Sequence, residues 1–145
     1  LILAAAGLNR LGLAHLYRGS VPEADMLPAV GQGALGLEVR TQDRELRERL
    51  AFLDDPPTRL AVTAERAFLA RLEGGCVVPV AARGRVEGEL LHLEALISDL
   101  EGRRVLRDRR TGPVADAAGL GTRMADDLLE RGGREILAEL YGRAL

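Results

Sequence analysis

The side chains able to form covalent bonds are few in this sequence, and they mark where chemistry could occur. Its one cysteine, Cys76, lies in the stretch "RLEGGCVVP", Arg71 to Pro79, directly after two glycines. A free cysteine often serves as a small buried hydrophobe. An accessible one near arginines ionises to the thiolate, a nucleophile that makes covalent bonds, and the glycine pair removes bulk ahead of the sulfur. The residues alone leave both readings open. All 20 basic residues are arginine, so no lysine is available for a Schiff base or a phosphate loop. The planar guanidinium fork suits carboxylates instead. One cysteine with His15 and His92 gives neither a disulfide framework nor a zinc spacing, and no metal is expected.

A second candidate is "GQGALG", Gly31 to Gly36, which fits the G-x-G-x-x-G pattern of dinucleotide sites. That chemistry needs the glycines between a strand and a helix N-terminus, whereas here they lead into a strand-like run. A hinge or a close backbone approach is the alternative, with Gln32 facing either a ligand or solvent. Arg10, at the end of a short helical stretch, reads as a surface arginine at a helix C-terminus. Alternation along a strand splits Arg103, Arg104, Arg107, Arg109 and Arg110 between two faces, and no aromatics interleave with them to stack bases. Together with a net charge of −2, this argues against nucleic acid as a partner and against a charged membrane surface. Glu65 and Arg66 read as structural partners of their neighbours.

Periodicity predicts the elements that carry these residues. Leu1 to Leu3 read as the end of a buried strand, followed by a short helix over about Ala5 to Leu11. Leu35, Leu37 and Val39 alternate in a strand over Ala34 to Arg40, and a helix follows over about Asp43 to Leu53. "DDPP" at Asp54 to Pro57 breaks the chain, and Asp55 caps a helix whose first turn accepts both prolines. Leu60, Ala64, Phe68 and Leu72 form its apolar stripe, and Gly74 and Gly75 end it just before Cys76. Strands over Pro79 to Val86, Glu89 to Ser98 and Arg103 to Thr111 make an antiparallel meander. Helices over Val114 to Arg131 and Arg134 to Tyr141 cover one of its faces. The fold class is therefore α+β. No run is long and apolar enough to span a membrane, the lone thiol suits a reducing cytoplasm, and the apolar start without Met reads as the cut edge of something longer.

Three blocks then carry a family resemblance: "VTAERAF" with "RLEGGC" and "VP", "LAAAGLNRLGL" (Leu3 to Leu13), and "LPAVGQGALGLEVR" (Leu27 to Arg40). In this order and spacing they resemble porphobilinogen deaminase, also called hydroxymethylbilane synthase, and "DDLLERGGREILAELY" resembles its last helices more loosely. The resemblance implies a transferase that joins four porphobilinogen units, with loss of ammonia, onto a dipyrromethane cofactor held by Cys76 as a thioether, and that releases hydroxymethylbilane. It implies that Arg10, Gln32 and Gly33 contact the cofactor. Arg40 and Arg66 match common family positions without an assigned role. Val77 departs from the polar residue, often Gln, that the family commonly has after its cysteine.

The family's catalytic aspartate lies in its amino-terminal half, so no catalytic residue is expected in this chain, which alone should be inactive. The expected division is residues 1–27 as the end of a second α/β domain, 28–55 as a hinge, strand and helix returning to a first domain and then a linker, and 56–145 as the cofactor-attachment domain. The full-length protein is expected to be a cytoplasmic monomer, and this chain, with apolar edges exposed, to self-associate. A noncatalytic anion-binding module and a structural domain with an inert cysteine are the rival readings. A covalent adduct on Cys76 separates both from the enzyme.

Overall fold

Capping side chains fix the starts of two of this chain's helices. In a computed structural model, which describes residues 1–72 and 79–143 except the side chains of Tyr141 and Arg143, α1 spans Ala5–Arg10 and has no side-chain cap. α2, Arg44–Leu50, begins at Asp43, whose carboxylate accepts from the Leu46 N–H at 3.0 Å. α3, Pro56–Arg71, is the longest; Asp55 accepts from the Thr58 N–H at 3.0 Å, and both prolines sit where an intrahelical N–H bond is not needed. These two hydrogen bonds' logic is the same, and at Asp55 the contact with Thr58 holds the carboxyl below its usual range. Cys76, Gly74, Gly75 and Val77 lie outside the described residues.

The meander forms as β1 (Val80–Glu87), β2 (Leu90–Ser98) and β3 (Val105–Pro113), antiparallel in the order β1-β2-β3. Gly84 stands opposite Leu93, and Leu93 opposite Arg110, which puts Ala82, Gly84, Leu91, Leu93, Ala95 and Ile97 on one face. α3 and α4 (Ala117–Leu128) cover that face, and Phe68, Leu91, Leu93, Ile97, Met124 and Leu128 are its largest fully buried side chains. Each contributes about 1.5–3 kcal/mol by leaving water. The two helices pack backbone to backbone at Gly121, where an added Cβ would fall 2.1 Å from the Ala64 carbonyl oxygen. After Leu128 the chain kinks through Leu129–Gly133, with Gly132 at φ 111°, and α5 (Arg134–Arg143) returns to bury Ile136 and Leu137.

The arginine run divides between faces as alternation requires. Arg110, inward, pairs with Asp127 of α4, and Asp108 pairs with Arg131. Outward, Glu94 accepts from Arg107 Nε at 2.6 Å and pairs with Arg109 Nε at 2.9 Å. Partial burial pushes the Glu94 carboxyl up, but the hydrogen bonds from Arg109 and Arg107 outweigh it and hold the group below 4.5. Arg107 also donates to the backbone carbonyls of Ala24 and Glu23, fastening to the sheet a segment whose Leu27 is buried.

Two expected strands do not form. Leu1–Leu3 and Ala34–Arg40 have no strand pairing among the described residues; Leu1, Ile2 and Leu3 are exposed, as are Leu35 (98%) and Leu37 (62%). A strand exists only where another backbone accepts from its N–H groups and donates to its C=O groups, and the three-stranded sheet offers these segments none. Consistently, α2 buries no residue, so Leu46 and Leu50, which recur at helical spacing, have no core beneath them. The observed class is α+β, and among the described residues no helix is long and apolar enough to cross a membrane.

Candidate functional site

The Gly-Gln-Gly loop is two turns in succession. Gln32 N–H donates to the Ala29 carbonyl at 3.0 Å, and Ala34 N–H to the Gly31 carbonyl at 3.1 Å. The third residue of each turn is a glycine at positive φ, Gly31 at 69° and Gly33 at 83°, as a type II turn demands. This explains the spacing of the two glycines without a nucleotide, and Gly36 has no positive φ. The turns leave Gln32 and Gly33 exposed at the loop's crest.

What holds the crest in place is Glu65, on α3. Its side chain lies among the buried positions Ala61, Ala64 and Phe68, and the residue is only 4% exposed. One carboxylate oxygen accepts from Gly31 N–H and the other from Gly84 N–H, each at 2.7 Å. Gly84 is on β1, the sheet's edge strand, so the carboxylate satisfies an N–H that the ladder leaves free. The fit requires glycine: a Cβ on Gly84 would lie 2.9 Å from the Cα and Cβ of Ala61. Loop, helix and strand edge thereby enclose an open groove of about 410 Å³, with Gln32 and Gly33 on one wall, Thr58 and Glu65 on the second, and Arg83 and Arg85 on the third. Arg83 Nε is buried with no hydrogen-bond partner among the described residues, while Nη2 of the same guanidinium pairs with Glu23 at 3.5 Å. These donors suit a ligand that carries carboxylates.

The other anticipated residues are placed as follows. Arg10 ends α1, exposed and with no ion-pair partner among the described residues, and no hydrogen bond joins it to the groove. Cys76 is outside the described residues; α3, which carries Glu65, ends at Arg71, and Leu72 after it is buried. Arg66 is exposed. His92 meets Thr111 at 2.9 Å and Glu87 at 3.7 Å, a cross-strand contact that needs no ligand. A second recess, between the β2–β3 turn and α5, is lined by charges that satisfy one another: Asp99 accepts from the Arg103 and Arg104 N–H groups, and the Arg104 guanidinium binds Glu139. Among the described residues no group of three or more His, Cys, Asp or Glu could hold a metal ion.

Sequence reasoning missed Glu65 as the clamp. Its signal was a carboxylate inside the apolar stripe of α3, where a charge is costly unless its lone pairs are filled.

Two family models match the chain: "Porphobilinogen deaminase, dipyromethane cofactor binding domain" over residues 1–48 and "Porphobilinogen deaminase, C-terminal domain" over residues 59–130. Among curated relatives, the porphobilinogen deaminase of Trichlorobacter lovleyi is 50% identical over 144 residues, 99% of this chain and 46% of that protein. Those of Geobacter metallireducens and Geobacter sulfurreducens are 49% and 50% identical over 142 residues, 98% of this chain and 45% of each. The chain thus spans about half the length of the curated relatives it matches.

Proposed function

The chain belongs to the porphobilinogen deaminase family, and on that premise we propose that it is the carboxy-terminal part of an enzyme joining four porphobilinogen units, with loss of ammonia, and releasing them by hydrolysis as hydroxymethylbilane. The observation that carries this reading is that both family segments occur in one chain: the first includes Arg10, Gln32 and Gly33, and the second includes Cys76.

In this reading Cys76 holds a dipyrromethane through a thioether, with Arg10, Gln32 and Gly33 as its noncovalent contacts. When bound, that group supplies the free pyrrole carbon at which the product chain grows. Its acetate and propionate groups match the donor types along the groove, which Arg83, Arg85 and Gln32 line. The residues present therefore fit it. Cys76 would hold the group through its sulfur, as a thioether whose carbon–sulfur bond is stable enough to persist through turnover. Arg10 contributes a fork able to hold a carboxylate in two hydrogen bonds, and Gln32 offers both a donor and an acceptor from a loop whose turns fix its direction.

This chain carries no group assigned to proton transfer, so we assign that work to the portion of the protein that the relatives have and this chain does not span. Residues 1–27 then belong to a second domain, 28–55 to the return toward a first domain and a linker, and 56–145 to the attachment domain. We place the full-length protein in the cytoplasm as a monomer, with porphobilinogen and not nucleic acid as its partner.

Supplying porphobilinogen to the full-length protein and to this chain alone, and following hydroxymethylbilane by its cyclisation and oxidation to a coloured porphyrin, tests the assignment. Product from the full-length protein only is expected. Its absence from a full-length protein that carries bound pyrrole would refute the activity.

A further inference from the structure

We infer that Glu65 is a positioning residue, which sets where Gln32 and Gly33 stand relative to α3 by clamping the loop to the edge of β1. The catalytic consequence rests on the proposed function, while the clamp rests on geometry alone.

A carboxylate that is 4% exposed and has no ion-pair partner among the described residues must be stabilised by hydrogen bonds. It has two, both to backbone N–H groups, and they come from distant stretches: Gly31 is 34 residues before it and Gly84 is 19 after it. An apolar residue at this position would leave the Gly84 N–H buried and unpaired. The loop bond is the more telling one. From Ala34 to Leu53 no hydrogen bond or ion pair among the described residues reaches the sheet or the helices on it, so Gly31 is the last polar tie before the chain leaves this unit. Upstream, Leu27 is buried and Val30 packs against the core, which anchors the approach to the loop but not its crest. The clamp and the helix leading to Cys76 are the same element. A shift of the loop therefore moves Gln32 and Gly33 relative to α3, and in a reaction that uses them a misplacement of about 1 Å can cost on the order of a hundredfold in rate.

The test compares Glu65→Gln, Glu65→Asp and Glu65→Ala in the full-length protein by intact mass, steady-state kinetics and amide hydrogen exchange. Gln keeps the volume but turns an NH2 group toward one of the two donors; Asp is too short to reach both. For Glu65→Gln the expected result is an unchanged cofactor mass, faster exchange at Gly31 or Gly84, and kcat lowered about tenfold to a hundredfold with a much smaller change in KM. Glu65→Ala should lose protection at both amides, and if it fails to fold, Glu65→Gln decides. A purely structural role would lower the melting temperature while the folded fraction turned over at the parent rate; that outcome, or unchanged exchange at both amides, overturns the inference. A parent lacking pyrrole and activity would instead refute the proposed function, and the exchange at Gly31 and Gly84 would still judge the clamp.

Discussion

At Cys76 and Arg10 the proposed chemistry depends on charge and shape together. The thioether needs a thiolate, and the carboxylates it brings need donors that arrive in pairs. An Arg10→Lys substitution keeps the charge and removes the fork. In the full-length protein it should lower kcat/KM about tenfold, or ~1.4 kcal/mol, with folding unaffected because Arg10 is exposed and has no ion-pair partner among the described residues. Unchanged steady-state kinetics would remove Arg10 from the cofactor contacts. Residues differ in how far the sequence discloses them. The spacing of Gly31 and Gly33 was legible as a pattern, but its cause, two turns sharing Gly31, depends on hydrogen bonds three residues apart that a glycine pattern does not specify. Glu65 was harder to read, because a glutamate followed by an arginine on a helix looks like a surface pair; only the β1 edge, distant in sequence, gives its carboxylate a purpose.

Elements whose signals are local were read almost to the residue. Asp55 with two prolines predicts the start of α3, and short polar turns predict the β meander, since capping and hairpin geometry need only neighbours in sequence. Packing between elements is not written so plainly, and Gly121 tests it. Gly121→Ala places a Cβ against the Ala64 carbonyl, and the resulting separation of α3 from α4 should cost about 1–3 kcal/mol by urea denaturation, despite alanine's better helix propensity. A neutral or stabilising result would mean that the helices do not approach as described. Acid tests the outer face. Since the folded Glu94 carboxyl is held below its ordinary 4.5, the unfolded chain binds a proton first as pH falls. Its stabilisation is full above about pH 4.5 and is lost as pH drops through the lowered folded value; Asp99, which burial pushes up but the Arg103 and Arg104 backbone N–H groups and the Arg104 guanidinium together hold below 3.8, acts in the same direction lower down. The melting temperature should therefore fall on acidification below about pH 4.5, and fall less steeply in Glu94→Gln. Parallel curves for variant and parent would contradict this.

For the molecule as a whole, the misread segments share one physical cause. Leu1–Leu3 and Ala34–Arg40 have strand-like composition, yet a strand is a relation between two backbones and the three-stranded sheet provides no partner for either. We attribute the missing partners to the portion of the family's length that this chain does not span. Exposed Leu35, Leu37 and Phe52 should then make the isolated chain associate at micromolar concentration in light scattering, while the full-length protein stays monomeric. A monodisperse isolated chain would argue that these residues need no cover.

The central claim, that Cys76 carries a pyrrole cofactor, is tested most directly by the intact mass of the purified full-length protein beside its Cys76→Ser variant. A mass excess equal to one dipyrromethane in the parent, absent from the variant and accompanied by pyrrole colour with acidic p-dimethylaminobenzaldehyde, is the predicted result. A bare thiol that stays bare after incubation with porphobilinogen would contradict it.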